Sequence, residues 1–428
     1  MGDPERPLRI ALLTYRGKPH VGGQGIYTRH LAKALVDMGH QVEVFSGQPY
    51  PHLDDGTVLN ELPSLDIYND HFPMRMPGLW ELKHLADFVE VTAFSMGSFP
   101  EPLAFSVRAF DALRGRRDDF DLVHDNQSLG YGLLALKRLG WPLIATIHHP
   151  ITVDRRLETA AAASLYKKLT LTRWYSFTRM QTEVARRIER VITVSENSWK
   201  DIHREHKVPY ERMHVVPVGV DPEQFKPLPS VGRRPGHLIT TASADVAMKG
   251  LSFLLEALAK LRTEREDLHL TVIGRKKEGG KSADTIERLG LTDHVEFVTG
   301  VTDERIVELY AQAELAVVPS LYEGFSLPAI EAMACGVPVV ATTGGALPEV
   351  VGKDGETALL VEPGDANALA ARINEALLSP SLRERVGAAG RQRVIKQWSW
   401  RHTAAGTVEQ YRALLDDQAR NQPGRGRS

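Results

Sequence analysis

One alternation, run twice along the chain, limits the fold more than anything else in the sequence. Short apolar runs of strand length are each followed by a stretch with helical periodicity and then by another run. Runs that are apolar throughout suit strands covered on both faces, as in parallel sheets joined by crossover helices. In the first half they are residues 8–13, 41–45, 120–124, 143–147, 190–195 and 214–217. In the second half they are 238–241, 268–273, 295–298, 315–318, 337–340 and 358–361, interleaved with helical patterns at 251–261, 303–313 and 366–378. Between the halves, Pro217, Pro222, Pro227, Pro229 and Pro235 mark a linker. A chain of 428 residues is also too long for a single core. The expectation is an α/β protein with two Rossmann-like, doubly wound domains, 1–217 and 236–396, joined by 218–235 and facing each other across a cleft. Residues 397–428 are expected to form a helix returning to the first domain, with a disordered tail from Gln418.

The junction at 315–336 carries the strongest chemical signal. A buried strand leads into a loop containing Glu323 and Gly324, and then into Ser326, a good N-cap. Pro328 is tolerated only in a first helical turn, and Gly336 sits where a helix stops. The start of such a helix has unpaired N–H groups and a partial positive charge, which suits a phosphate. Glu323 and Glu331 bracket it, and carboxylates accept hydrogen bonds from hydroxyls. A ligand with both hydroxyls and phosphates, such as a nucleotide-sugar, matches both features. A surface loop with two solvated acids is the other reading.

Further candidates lie where strands end, since ligands of open parallel sheets bind beyond the carboxyl ends of strands. Gly22-Gly23-Gln24-Gly25 precedes a helix expected over 26–38, without the GxGxxG spacing of a standard dinucleotide site. These glycines either bring backbone close to a ligand or make a tight turn. Asp125-Asn126-Gln127 and His148-His149 follow two further strands. Lys249, ahead of a helix, reaches a diphosphate as a point charge or is an ordinary surface lysine, and Gly300 lets backbone approach a base.

Other classes are disfavoured. A net charge of −2 gives no bias toward nucleic acid. The single cysteine, Cys335, rules out an internal disulfide framework and reads as a small buried hydrophobe in a reducing compartment. There is no HExxH pattern, so no protein-built metal site is expected. No apolar run approaches the ~18 residues of a membrane span, and the start does not resemble a signal peptide, so the expected location is cytoplasmic. Residues 155–190 read as helical, with nine basic residues against three acidic ones and Tyr166, Trp174, Tyr175 and Phe177 among them. They are either a solvated basic face over a packed stripe or a surface for anionic lipid, at the inner face of the membrane. Residues 47–117, broken by prolines, either line a binding site or pack on themselves.

With these residues in view, the chain resembles the retaining nucleotide-sugar glycosyltransferases of the GT-B fold, in the large group carrying an E-x7-E motif (glycosyltransferase family 4 type). The resemblance rests on Glu323 and Glu331 within the run 318–340, on 344–349, Gly364 and Asp365, and more loosely on 22–25, Gly39-His40 and 146–148. It implies metal-independent transfer of a hexosyl group, with no cofactor, to a small-molecule or lipid-linked acceptor; a uridine diphosphate sugar is the commoner donor of the family and the one expected, with guanosine diphosphate mannose as the other choice. By the same resemblance, Glu331 holds the ribose and Glu323 the hydroxyls of the donor sugar. Backbone at Gly324, Phe325, Ser326 and Leu327 holds sugar and diphosphate, as does the loop at Gly22 and Gly23 from the other domain. His148 lies beside the transferred sugar, Lys249 neutralises the leaving diphosphate, and Gly300 completes the donor pocket. Gln24, Asn126 and His149 are assigned to the acceptor. The family's usual arginine ahead of the lysine is missing near Ala244 and Asp245, with Arg275 or Arg173 as replacements. A non-catalytic nucleotide-sugar-binding protein, or a phosphorylase or epimerase of the same fold, remains the alternative.

Overall fold

A computed structural model describes residues 6–17, 23–68, 75–160, 162, 164–242, 246–277 and 279–421. It divides into two compact units. The N-terminal unit takes the chain up to Val194, Ser198–Val216 and the segment from Thr403 onward; the C-terminal unit takes Pro217–His402 with Ser195–Asn197.

The N-terminal unit runs β1 (Arg9–Thr14), α1 (Gly23–Asp37), β2 (Gln41–Ser46), β3 (Val58–Glu61), α2 (Leu85–Ser95), α3 (Glu101–Leu113), β4 (Leu122–Asn126), α4 (Tyr131–Arg138), β5 (Leu143–Ile147), α5 (Ile151–Ala160), α6 (Leu165–Trp174), α7 (Thr178–Ala185), β6 (Arg190–Thr193), α8 (Glu196–His206) and β7 (Met213–Val215). Its seven strands form one parallel sheet in the order β3-β2-β1-β4-β5-β6-β7. The all-apolar centre of β1 is fully buried, and Phe105 and Leu113 of α3, Leu133 of α4 and Val184 of α7 close over one face of the sheet.

The C-terminal unit runs β8 (His237–Thr241), α9 (Leu251–Leu261), β9 (His269–Ile273), α10 (Lys281–Arg288), β10 (Val295–Val298), α11 (Asp303–Gln312), β11 (Leu315–Val318), α12 (Leu327–Ala334), β12 (Val339–Thr342), α13 (Leu347–Val351), β13 (Leu359–Val361), α14 (Ala366–Leu378) and α15 (Pro380–Gln397), and α16 (Trp400–Asn421) follows. Six parallel strands lie in the order β10-β9-β8-β11-β12-β13. Leu254, Leu255 and Leu258 of α9 pack with Ile373 and Leu377 of α14 over the central strands. Each such leucine removed from water contributes roughly 1.5–3 kcal/mol.

Several elements differ from expectation. Residues 47–117 contain an edge strand and two regular helices, α2 and α3, so much of the stretch is packed structure rather than an irregular excursion. The stretch read as helical over 155–190 holds the end of α5, then α6 and α7, with a 3-10 turn at Tyr175–Phe177. The strand expected at 337–340 starts at Val339, because Pro338 has no N–H to give a ladder. The tail expected from Gln418 is still helical to Asn421, and its last seven residues lie outside the described residues. Among the described residues no helix is long and apolar enough to cross a membrane.

Candidate functional site

In the C-terminal sheet the strand order reverses between β8 and β11, the kind of position at which open parallel sheets bind ligands. Lys249 comes from the β8 side and Glu323 from the β11 side, and Lys249 Nζ lies 2.8 Å from Glu323 Oε1. Ser320 Oγ donates to the same oxygen at 2.7 Å. The loops are locked together from behind: Leu321 N–H donates to the Met248 carbonyl at 2.7 Å, and Ala346 N–H to the Glu323 carbonyl at 2.9 Å. Gly250 is left-handed at φ +65°, and a Cβ there would sit 1.9 Å from the Pro319 carbonyl oxygen, so only glycine fits behind the lysine.

Two residues beyond Gly324 the backbone turns through Ser326, which takes φ +103° although it is not glycine. Strain of this kind persists where surrounding structure enforces it, and it collects at ligand sites. Ser326 starts α12 as expected, but its side chain makes no capping bond, and its buried Oγ has no hydrogen-bond partner among the described residues. Pro328 lies in the first turn. One turn on, burial, then the charge of Asp303, push the Glu331 carboxyl up to about 7, while a hydrogen bond from Tyr310 works the other way. The Tyr310 hydroxyl lies 3.5 Å from Glu331 Oε2 and 3.3 Å from the Pro328 carbonyl oxygen. Cys335 is buried, and burial pushes its thiol up to about 12, which leaves it inert.

The N-terminal sheet reverses between β1 and β4, and its candidates collect at β4 and β5. Asn126, at the end of β4, is fully buried. Its Nδ2 donates to the Gln24 carbonyl at 3.2 Å and to Thr28 Oγ1 at 3.0 Å, while Thr28 Oγ1 donates to that same carbonyl. A carbonyl only accepts, so the amide nitrogen must face Gln24 and Oδ1 must face His148 Nε2, 2.8 Å away. His148 therefore carries its proton on Nε2 and presents Nδ1 as an acceptor. Burial, then His149, hold its pKa down at about 3, so the ring is neutral. Tyr27 meets it edge-to-face at 4.7 Å, and Gln127 clamps the strand end by accepting from His148 N–H and donating to the His149 carbonyl, both at 2.7 Å.

Asn126, read as an acceptor contact, is fully buried, with its amide bonded to Gln24, Thr28 and His148. His149 Nε2 pairs with Asp154 Oδ2 at 2.9 Å, and the Gln24 side chain bonds Tyr15. Gly23 is the first residue of α1 rather than part of a preceding loop, so its N–H is one of those a helix leaves unpaired. Gly22, Ala244 and Asp245 lie outside the described residues. Gly300 follows the edge strand β10 with φ +67° and open space at its Cβ position, and Arg275 is exposed just past β9, next to β8. Arg173 belongs to α6 of the N-terminal unit. Ser320, Tyr310 and Thr28 carry site geometry that the sequence reading did not assign. Gln127, a strand-end candidate in the sequence, is the residue that holds the His148–His149 backbone.

Residues 232–393 match the family model described as glycosyl transferases group 1, and residues 21–224 match that of glycosyltransferase family 4. The chain is 50% identical over 409 residues to an MMP alpha-(1->4)-mannosyltransferase of Mycolicibacterium hassiacum, covering 95% of this chain and 98% of that one. It is 27% identical over 443 residues to a D-inositol 3-phosphate glycosyltransferase of Streptomyces scabiei, covering 97% and 93%. Among solved structures it is similar to a sucrose-phosphate synthase from Thermosynechococcus elongatus (TM-score 0.73, 24% identity, 96% of this chain and 100% of that one). It is also similar to Anabaena HepE in complex with UDP and glucose (TM-score 0.69, 20% identity, 95% and 100%).

Proposed function

Because the chain belongs to the glycosyltransferases of the GT-B fold, we propose that it moves a mannosyl group from a nucleoside diphosphate mannose to a 4-hydroxyl of an acceptor saccharide, with retention. The sugar and linkage follow the half-identical mannosyltransferase. With an α-linked donor, an α-(1→4) product is retention. Guanosine diphosphate mannose is the first donor to test, and a uridine diphosphate sugar is the second.

The observation that carries the reading is the pairing at the C-terminal switch point. A lysine and a carboxylate from opposite loops meet at 2.8 Å, beside a strained turn that opens a helix with a buried hydroxyl lacking a partner among the described residues. The bond between the anomeric carbon and the diphosphate oxygen breaks, and its electrons stay on the diphosphate. Lys249 and the start of α12 stabilise that charge. The acceptor oxygen bonds to the anomeric carbon from the same face and gives its proton to a diphosphate oxygen. Glu323 accepts from hydroxyls of the sugar, Glu331 from those of the ribose, and His148 Nδ1 from a further sugar hydroxyl. A fixed cation and a helix end in place of a metal make the transfer metal-independent.

The test is nucleotide release from guanosine diphosphate mannose with and without a manno-oligosaccharide. Release should require acceptor and survive a chelator. Lys249→Ala should lower kcat by about 10²–10³-fold, as losing one preorganised donor does elsewhere. Acceptor-independent turnover, or none with any donor, would favour the phosphorylase, epimerase or binding-protein alternatives. A folded Lys249→Ala enzyme with near wild-type kcat would overturn the lysine's role.

A further inference from the structure

Helix α2 is inside out. Its carboxylates, Asp87 and Glu90, are buried against Arg108, each 2.7 Å from that guanidinium, while Leu85, Phe88 and Met96 face outward at helical spacing. The preceding 3-10 turn exposes Leu79 (84%) and Trp80 (81%). Helix α6 buries no residue at all and exposes Leu165 (80%), Tyr166 (81%) and Leu169. The two helices meet at their C-terminal ends: Phe99 N–H donates to the Trp174 carbonyl at 3.1 Å, and Ser176 Oγ to Ser98 Oγ at 2.8 Å. Trp174 packs there against Tyr68 and Phe99, which anchors α6 at one end. Of the seventeen large hydrophobics exposed among the described residues, nine fall in 76–96 and 165–169, so the apolar surface is concentrated rather than scattered.

Charge decides what covers it. Helix α6 carries Lys167, Lys168 and Arg173 and no acid. The acids nearby are turned inward or already paired: Asp87 and Glu90 with Arg108, Glu81 with Arg75, and Glu101 with Arg16. An exposed leucine, tyrosine and tryptophan surface fringed by lysines matches the boundary of an anionic bilayer, where rings and aliphatic chains sit at headgroup depth and cations meet lipid charge. We propose that this face of the N-terminal unit, formed by α6, α2 and the turn before α2, docks on anionic lipid. The occupied stretch is narrower than residues 155–190, since α7 packs into the core.

The test is co-sedimentation of the full chain with vesicles of phosphatidylcholine alone or mixed with phosphatidylglycerol. Binding is expected only to the anionic vesicles and should weaken as salt rises from about 0.1 M to about 1 M. The pairs Lys167→Glu/Lys168→Glu and Trp80→Ser/Leu165→Ser should each weaken it at least tenfold, with unchanged thermal midpoints because the replaced side chains are exposed. Failure of the wild-type chain to sediment with anionic vesicles, or unaltered binding by both folded pairs, overturns the proposal. So does a concentration-dependent dimer in sedimentation velocity that the same substitutions break without any lipid binding, which would assign the face to a second copy.

Discussion

At the residue scale, two groups with proposed donor contacts hold protonation states that burial imposes. Glu331 titrates near 7, and hydroxyls of a donor prefer its ionised form, so donor affinity should be full above that value. The KM for donor should therefore rise as pH falls through about 7, while Glu331→Gln should bind more weakly with no such slope. Linkage runs the other way for folding. The native carboxyl holds its proton more tightly than the unfolded one, so stability declines as pH rises from the ordinary carboxylate range to about 7. His148 is neutral throughout that range. Asn126→Asp would set a carboxylate against its Nε2, favour the imidazolium and remove Nδ1 as an acceptor. At saturating donor, kcat of the wild-type enzyme should show no limb from His148, and the Asp variant should gain one, losing activity on the acid side.

At the element scale, the buried triad of Arg108, Asp87 and Glu90 ties α2 to α3. Arg108→Ala would strand two carboxylates away from water, at a cost of about 3–5 kcal/mol. That should lower the thermal midpoint by on the order of 10 °C, and Glu90→Gln in the same chain should restore part of it. The triad also explains why α2 was illegible in the sequence. Periodicity finds helices by their apolar inner face, and α2 has its acids inside and its leucine and phenylalanine outside. Where the ordinary rule holds, the reading succeeded: α9 and α14 start and stop where their patterns do, and Ser326, Pro328 and Gly336 bound α12. The acid pair and Lys249 were visible because spacing and flanking glycines mark them. The bonds of Tyr310 to Glu331 and of Asn126 to His148 were not, since each joins neighbours distant in sequence.

At the scale of the whole molecule, a donor that binds only the folded chain stabilises it by mass action, about 2.7 kcal/mol at a hundredfold excess over Kd. Thermal denaturation with guanosine diphosphate mannose, uridine diphosphate glucose and the bare nucleotides should rank the base and the sugar separately. The guanosine donor is expected to give the largest shift, and a larger shift from the uridine donor would reassign the base. The chain path has a consequence of its own. Tyr411 of α16 is fully buried and lies 2.6 Å from Nδ1 of His124, on the strand that ends in Asn126. The polypeptide's last turns thus complete the interior of its first unit, while the second is nearly continuous in sequence. As the ribosome emits the chain, the later unit can close first and the earlier one must wait for α16, so a chain cut ahead of Tyr411 would leave the opening domain without its keystone.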